Sequence, residues 1–348
     1  MRRTAGKRYG FPWVAVILVA AIAGGLLALH YLDSRELSQQ VPFASQIKPD
    51  RVDQKNMTAY YNGEWYRLRE HTDTYLILGI DKFAKKLENI SSSDLLNDLQ
   101  SDFLALLVVN HDRKTYSAIQ LNRDTVTEIR RIGYSGQSTG TVKQQLALSH
   151  TYGSGGKDSC RNSVDAVSRL LYDVPIDHYY AITMDAIPVL ADLLDGIPVH
   201  IDEDMTAVDK TLVKGKDVTL HGEHALNFVR ARSSVSDGTN LSRMNRQTAF
   251  LKALQVKLTE KISKSDRFAY TLAGSLEKYT TTDLITDEMV NMVTDLKGYQ
   301  FTGITTIPGT AQEGKEYIEF YPDEEKLRQI AVDTFFVPVY DAESSVKS

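Results

Sequence analysis

"SDFLALLVVNHDRKTYSAIQLNRDT", residues 101–125, holds two apolar, partly β-branched runs, Phe103–Asn110 and Tyr116–Leu121, separated by a charged stretch. Runs of that length and composition predict strands. Asp102 opens the first, and Arg123 and Asp124 stand where the second ends. Upstream, "TYLILGID" (74–81) predicts another strand, closed by Asp81. Downstream come a helix around "VKQQLALSHTYG" (142–153), a helix across "RNSVDAVSRLLYD" (161–173) and the strand "HYYAITM" (178–184). The helix "DAIPVLADLLDG" (185–196) and the strand "IPVHID" (197–202) continue the alternation. Strands alternating with amphipathic helices predict an α/β sheet flanked by helices.

Two further helices are predicted, "LHGEHALNFV" (220–229), which delivers Arg230 and Arg232 at its end, and "LSRMNRQTAFLKALQVKLTEKI" (241–262). In the second, Arg243, Arg246 and Gln247 stand at i, i+3 and i+4 and share one face of the first turns. Cations at that end oppose the helix dipole, while its free N–H groups suit an anion. Four arginines in one short region therefore point to a bound anion, although a solvated basic loop gives the same pattern. Arginine's planar fork holds phosphate oxygens in pairs, so a pyrophosphate suits several of them.

Asp81 and Asp102 are strand-boundary carboxylates. If their strands are neighbours they supply what Mg²⁺ usually takes from protein, one or two carboxylates, with phosphate and water completing the shell. Each taken singly also reads as a turn or cap residue, and Arg123 with Asp124 as a surface ion pair. Other chemistries lack support. No G-x-S-x-G elbow occurs, "YGSGGKDS" fails the phosphate-loop pattern at Thr151 and Asp158, and "HGEH" lacks the order of a zinc-protease helix.

The chain has 348 residues, a formal net charge of -5 and one cysteine, Cys160. The charge gives no reason to expect a nucleic-acid partner, and a lone cysteine excludes an intrachain disulfide. The N-terminus is more telling: Arg2, Arg3, Lys7 and Arg8 precede an uncharged apolar run from Phe11 to Leu29. At 1.5 Å per residue that run roughly matches a ~30 Å hydrocarbon core, and the basic flank should remain cytoplasmic. No clear small-residue cleavage site follows it, which favours an uncleaved anchor over a secretory signal peptide.

With these pieces in place the chain resembles the LytR-CpsA-Psr family of membrane-anchored cell-envelope proteins of Gram-positive bacteria. The resemblance runs from about Thr72 to Phe250 and is carried by "YLILGID", "SDFLALLVV", "NRDT", "LALSHTYGSGG", "IDHYYAITMDAIPVLADLLDGIPVHID", "LHGEHALNFVRAR" and "NLSRMNRQ". It implies a mixed central sheet flanked by helices. It also implies Mg²⁺-assisted transfer of an anionic glycopolymer, such as teichoic acid or capsule, from undecaprenyl-pyrophosphate to peptidoglycan on the outer face of the membrane. Under the resemblance Asp81 and Asp102 match metal-associated aspartates and Arg123 and Asp124 the Arg-Asp strand end. Arg230, Arg232, Arg243, Arg246 and Gln247 match the pyrophosphate-binding set, with catalysis falling to Arg123, Asp124, Arg230 and Arg232. Two positions depart from the family pattern: Asn122 replaces a usual proline, and Asn240 a usual aspartate, for which Asp237 can substitute.

The expected organisation is a cytoplasmic tail (1–10), a membrane anchor (11–31), an extracellular stalk or accessory segment (32–70), the catalytic domain (71–262) and a C-terminal α/β continuation or appendage (263–348). Pyrophosphate hydrolysis at the same site, or a non-catalytic envelope-binding or regulatory role, are the alternatives.

Overall fold

A computed structural model describes residues 51–339, except 54–57, 83–91, 232–245 and shorter stretches between 247 and 317. The expected tail and anchor, 1–31, lie outside the described residues, as do Arg232, Arg243 and Gln247, together with Asp237 and Asn240. Among the described residues no helix is long and apolar enough to cross a membrane.

The described chain forms two compact units, residues 51–179 with 305–339, and residues 180–304. The central sheet is mixed and flanked by helices, as the alternation predicts. In the first unit, β4 (Thr72–Lys82), β5 (Leu99–Asn110) and β6 (Thr115–Leu121) pair antiparallel in that order. Leu76, Ile77 and Leu78 of β4 and Leu104, Ala105, Leu106 and Leu107 of β5 are all buried, so both sheet faces are covered there.

The segment expected as a stalk is instead partly strand. β1 (Arg51–Asp53), β2 (Thr58–Tyr61) and β3 (Glu64–Leu68) form a sheet in the order β1-β2-β3-β16, closed by β16 (Phe336–Pro338) from the far end of the chain. Its outward face mixes exposed Trp65 with exposed Arg67, which is why the segment lacks a clean apolar alternation. The helix expected over 142–153 is also corrected. β8 (Ser138–Gln145) pairs with β7 (Val126–Ile132), Val142 opposite Ile129, and only a buried 3-10 turn, Leu146–Thr151, follows. β-branched Thr139, Thr141 and Val142 fit that ladder better than a helix.

Helix α1 (Lys157–Leu170) starts before the expected Arg161 and buries Cys160, Ala166, Val167 and Leu170. In the second unit, β9 (His178–Thr183, begun in the first) pairs with β12 (Thr280–Thr282), and β10 (Ile197–His200) with β11 (Asp217–Leu220). Helix α2 (Ala186–Leu193) packs on α3 (Gly222–Arg230) and on α4 (Asp266–Leu276).

After β13 (Gln300–Thr306) the chain contributes β14 (Gly309–Glu313), β15 (Ile318–Pro322) and α5 (Glu324–Phe335). Asp323 caps α5 by accepting from the Glu325 and Lys326 amides at 3.1 and 3.0 Å. Leu327, Ala331 and Phe335 supply its buried stripe. Of the segment expected as a continuation or an appendage, residues 263–304 thus belong to the second unit and residues 305–339 complete the first.

Candidate functional site

One cluster assembles where β4, β5 and β6 end together. Register between β5 and β6 runs from Asn110 opposite Thr115 to Leu104 opposite Leu121. Continued by two residues, it sets Asp102 opposite Arg123. The side chains meet: Arg123 Nη1 donates to Asp102 Oδ1, and Arg123 Nε donates to Asp124 Oδ1 at 3.3 Å. The three side chains are 25%, 21% and 30% exposed, which leaves the cluster reachable from solvent yet partly shielded from it.

A β-bulge aims Asp102. On β4, Gly79 faces Phe103 while the next residue, Ile80, faces Ser101, so Asp102 is the extra residue of the ladder. A Cβ on Gly79 would stand 3.0 Å from the Phe103 Cβ, and glycine is what lets the two strands approach here. On the neighbouring strand Asp81 stands opposite Gln100, two residues before Asp102. Asp81 and Asp102 thus lie on neighbouring, paired strands. Asp81, Asp102 and Asp124 against Arg123 give three negative charges to one positive, a formal -2. Carboxylate oxygens are the donor type Mg²⁺ takes from protein, and one or two of them suffice beside phosphate and water.

The turn carrying Arg123 is fixed on every side. Thr125 N donates to Asn122 O at 3.1 Å, and Asp124 N to the Asn122 Oδ1 at 2.9 Å. Asn122 thus holds by a hydrogen bond the turn that a proline would hold by its ring. Ala147 N donates to Arg123 O, and Phe320 N of β15 to Asp124 O, both at 2.8 Å.

Helix α3 brings Arg230 to its last turn, half-buried. Arg246 belongs to the end of this helix in a way the sequence does not suggest. It is 5% exposed. Its Nε donates to Phe228 O at 3.0 Å, its Nη2 to Ala231 O and its Nη1 to Glu203 Oε1. It clamps the carbonyls on either side of Arg230, so its contacts are those of a brace. Glu203 went unrecognised between Asp202 and Asp204. The available signal was parity: Ile197, Val199, Ile201 and Met205 are all buried, and Glu203 shares their phase.

Three other sequence features are resolved. In "YGSGGKDS" the loop closes on itself, with Ser154 N donating to Asp158 Oδ2 at 2.8 Å and Gly155 N to Ser159 Oγ at 3.0 Å. A carboxylate already fills the place of a phosphate. In "HGEH", His224 pairs with Asp209 and His221 lies 3.6 Å from Asp192. Among the described residues no three His, Cys, Asp or Glu side chains gather for a metal ion. Cys160 does have a neighbour, His150 Nε2 at 3.7 Å, but both are buried out of reach of substrate.

The sequence model of the LytR-CpsA-Psr (LytR_cpsA_psr) family matches residues 33–334. The chain belongs to this family. Among its relatives is a Bacillus mycoides protein named polyisoprenyl-teichoic acid–peptidoglycan teichoic acid transferase TagU. It is 29% identical over 230 residues, 65% of this chain and 70% of the relative. A Bacillus cereus protein of the same name is 27% identical over 318 residues, 90% of this chain and 93% of its own. A solved Enterococcus faecalis structure, described as a transcriptional regulator, matches with a TM-score of 0.50 at 20% identity, covering 76% of this chain and 87% of that one. At that identity the likeness extends to the fold alone.

Membership of the LytR-CpsA-Psr family covers the segments that hold both charge clusters, Asp102-Arg123-Asp124 and Glu203-Arg246 with Arg230. It also extends past the expected domain end at 262 to β15 and α5, consistent with their place in the first unit.

Proposed function

We propose that this LytR-CpsA-Psr family member is a phosphotransferase that moves an anionic glycopolymer from a polyprenyl pyrophosphate carrier to peptidoglycan, at the outer face of the membrane and with Mg²⁺. A hydroxyl of the peptidoglycan sugar attacks the phosphorus that bears the glycopolymer. A phosphodiester forms, the bond from that phosphorus to the bridging oxygen breaks, and polyprenyl phosphate leaves. The names of the teichoic acid transferase relatives support the reaction class. The observation that carries the reading is the Asp102-Arg123-Asp124 cluster at the sheet's end.

Phosphoryl transfer asks mainly for positioning and for charge neutralisation. Arg123, oriented by two carboxylates, is assigned to the charge that develops on the phosphoryl oxygens. Arg230, Arg232, Arg243 and Gln247 are assigned to the diphosphate, and Arg246 to fixing the helix end that presents Arg230. Asp124 orients Arg123 and is the proposed acceptor of the hydroxyl proton. Asp81 and Asp102 would hold Mg²⁺, which when bound offsets negative charge on the phosphate oxygens.

The test is to incubate the full chain with a polyprenyl-pyrophosphate-linked glycan, peptidoglycan and Mg²⁺. Glycan covalently attached to peptidoglycan, and lost with Arg123→Ala, is the expected result. Glycan recovered only free in solution would replace transfer by hydrolysis, and carrier left intact would favour a binding protein.

A further inference from the structure

The β1-β2-β3-β16 sheet turns one face inward, where Ala59 and Phe336 are buried, and leaves the other exposed. Cross-strand register sorts the outer face into two rows. Arg51 stands opposite Tyr60 and Tyr60 opposite Trp65, and Val339 N donates to Trp65 O at 2.8 Å, so Tyr60, Trp65 and Val339 continue one row from the Arg51 position on the edge strand. Thr58, Arg67 and Val337 make the next. Trp65 is 44% and Val339 42% exposed, and the Tyr60 and Trp65 rings lie 5.2 Å apart. An apolar strip of this kind in water marks a contact surface.

The second row borders a cavity of about 260 Å³, to which Arg67 and Val337 are common. Arg69, His71 and Arg113 also line it, against Glu70 and Asp112. Three arginines against two carboxylates leave one formal positive charge with histidine neutral. Arg69 is anchored by the carbonyls of Asp333, Thr334 and Phe336 at 3.0 to 3.3 Å. Burial first, and then the charge of Arg113, hold its guanidinium below the ordinary arginine value. Arg113 is exposed on the β5–β6 turn, and Arg67 bonds Glu70 at 2.8 Å from a half-exposed position. An anion entering here would relieve cation repulsion.

We propose that this outer face, with the arginine-lined cavity beside it, is a bilayer-contact surface that rests its aromatic row at the membrane interface and takes phospholipid headgroup phosphates in the cavity. The inference rests on reading residues 11–31 as a membrane anchor. Trp and Tyr settle at the water-lipid boundary, and arginine matches phosphate oxygens in pairs. Valine, rather than a polar side chain, extends the strip beside Trp65, which suits lipid better than a sugar ring needing hydroxyl partners. The chain also enters the described fold at β1, the edge strand of this sheet. Residues 32–50 span at most about 65 Å even if fully extended, so β1 starts within that reach of the expected anchor.

The sequence has two tryptophans, Trp13 and Trp65, so Trp13→Phe leaves Trp65 as a single reporter in the full chain. Reconstituted into vesicles containing anionic lipid brominated near the headgroup, this protein should show Trp65 emission quenched relative to unbrominated lipid. The quenching should weaken in high salt and in Arg67→Ala/Arg113→Ala, whose unchanged circular dichroism would verify folding. Equal emission in the two lipids overturns the proposal, as does a Trp65 response only to added soluble glycan fragments. Alkaline carbonate washing reports separately on the anchor. Release with quenching retained supports the surface and removes the anchor, whereas anchored protein without quenching removes the surface.

Discussion

Glu203→Ala should loosen the end of α3 while leaving the rest of the fold in place. Arg246 and Glu203 are 5% and 18% exposed, so deleting the carboxylate takes one counter-charge from a nearly buried guanidinium. Breaking a buried pair from one side costs about 3–5 kcal/mol. Arg246 keeps two carbonyl acceptors, Phe228 O and Ala231 O, which sets the expectation at the lower end, about 3 kcal/mol. Because the clamp spans Arg230, the loss should be read locally, by amide hydrogen exchange in the last turn of α3. There about 3 kcal/mol corresponds to roughly 100-fold faster opening. Glu203→Gln, which keeps an acceptor and loses the charge, should fall between. Adding Arg246→Met to Glu203→Ala removes the stranded charge and should recover part of the protection. Exchange in Glu203→Ala within about threefold of wild type, where a tenfold change is about 1.4 kcal/mol, would refute the brace.

Arg123→Lys should lower transferase turnover by roughly 10²–10³, since a lysine cannot bridge Asp102 and Asp124 and present a fork to phosphate, with circular dichroism unchanged. In metal-free buffer Asp81→Asn should bind inorganic pyrophosphate more tightly than wild type, and with millimolar Mg²⁺ less tightly, as titration calorimetry can resolve. Burial lowers the His150 pKa from 6.5 to about 4, so the unfolded chain takes up a proton first. Stability should be unaffected above pH 6.5, fall by up to about 3 kcal/mol as the pH drops from 6.5 to 4, and level off below; denaturant titrations of wild type and His150→Leu would show it. Truncation after Ile304 should leave the first unit unable to fold, because β15, α5 and β16 would be lost, and solubility on expression tests this.

The strands that carry the cluster were legible because their apolar runs are buried on both faces, a pattern that survives in sequence. Partners were harder. The segment 142–153 has enough leucine and glutamine to look helical, and only its pairing with β7 makes it a strand and a turn. The β1–β3 region looks like a stalk because a two-row outer face with Trp65 and Arg67 breaks simple alternation. Asp102 reads as opening its strand, whereas β5 begins at Leu99 and holds it inside the ladder, at a bulge that depends on Gly79 across it. Arg246 illustrates the limit most directly. Its helical spacing with Arg243 and Gln247 suggests a shared anion-binding face, yet its guanidinium is spent on Glu203 and two carbonyls. Local spacing indicates which side chains share a helix face, whereas the direction in which one of them turns is set by residues far away in the chain.

The charge count supports the proposed metal assistance at the first unit's cluster. A diphosphate is strongly anionic, and the two carboxylates on Arg123, with Asp81 on the neighbouring strand, would repel it if nothing else were present. Arg123 alone therefore does not make this corner an anion site. Its two carboxylate partners reduce its attraction for phosphate, and what they supply in exchange is orientation. A divalent cation between Asp81 and Asp102 would bring the formal charge from -2 to zero, after which an incoming phosphoryl group meets an oriented guanidinium without net repulsion. The same logic separates the two arginine roles by burial. Arg246, nearly sealed, has its charge matched within the protein and works through the backbone it holds. Arg123, about a quarter exposed, keeps one side for a ligand. Preorganisation of this kind is effective for phosphoryl transfer because the donors need not reorient as charge develops.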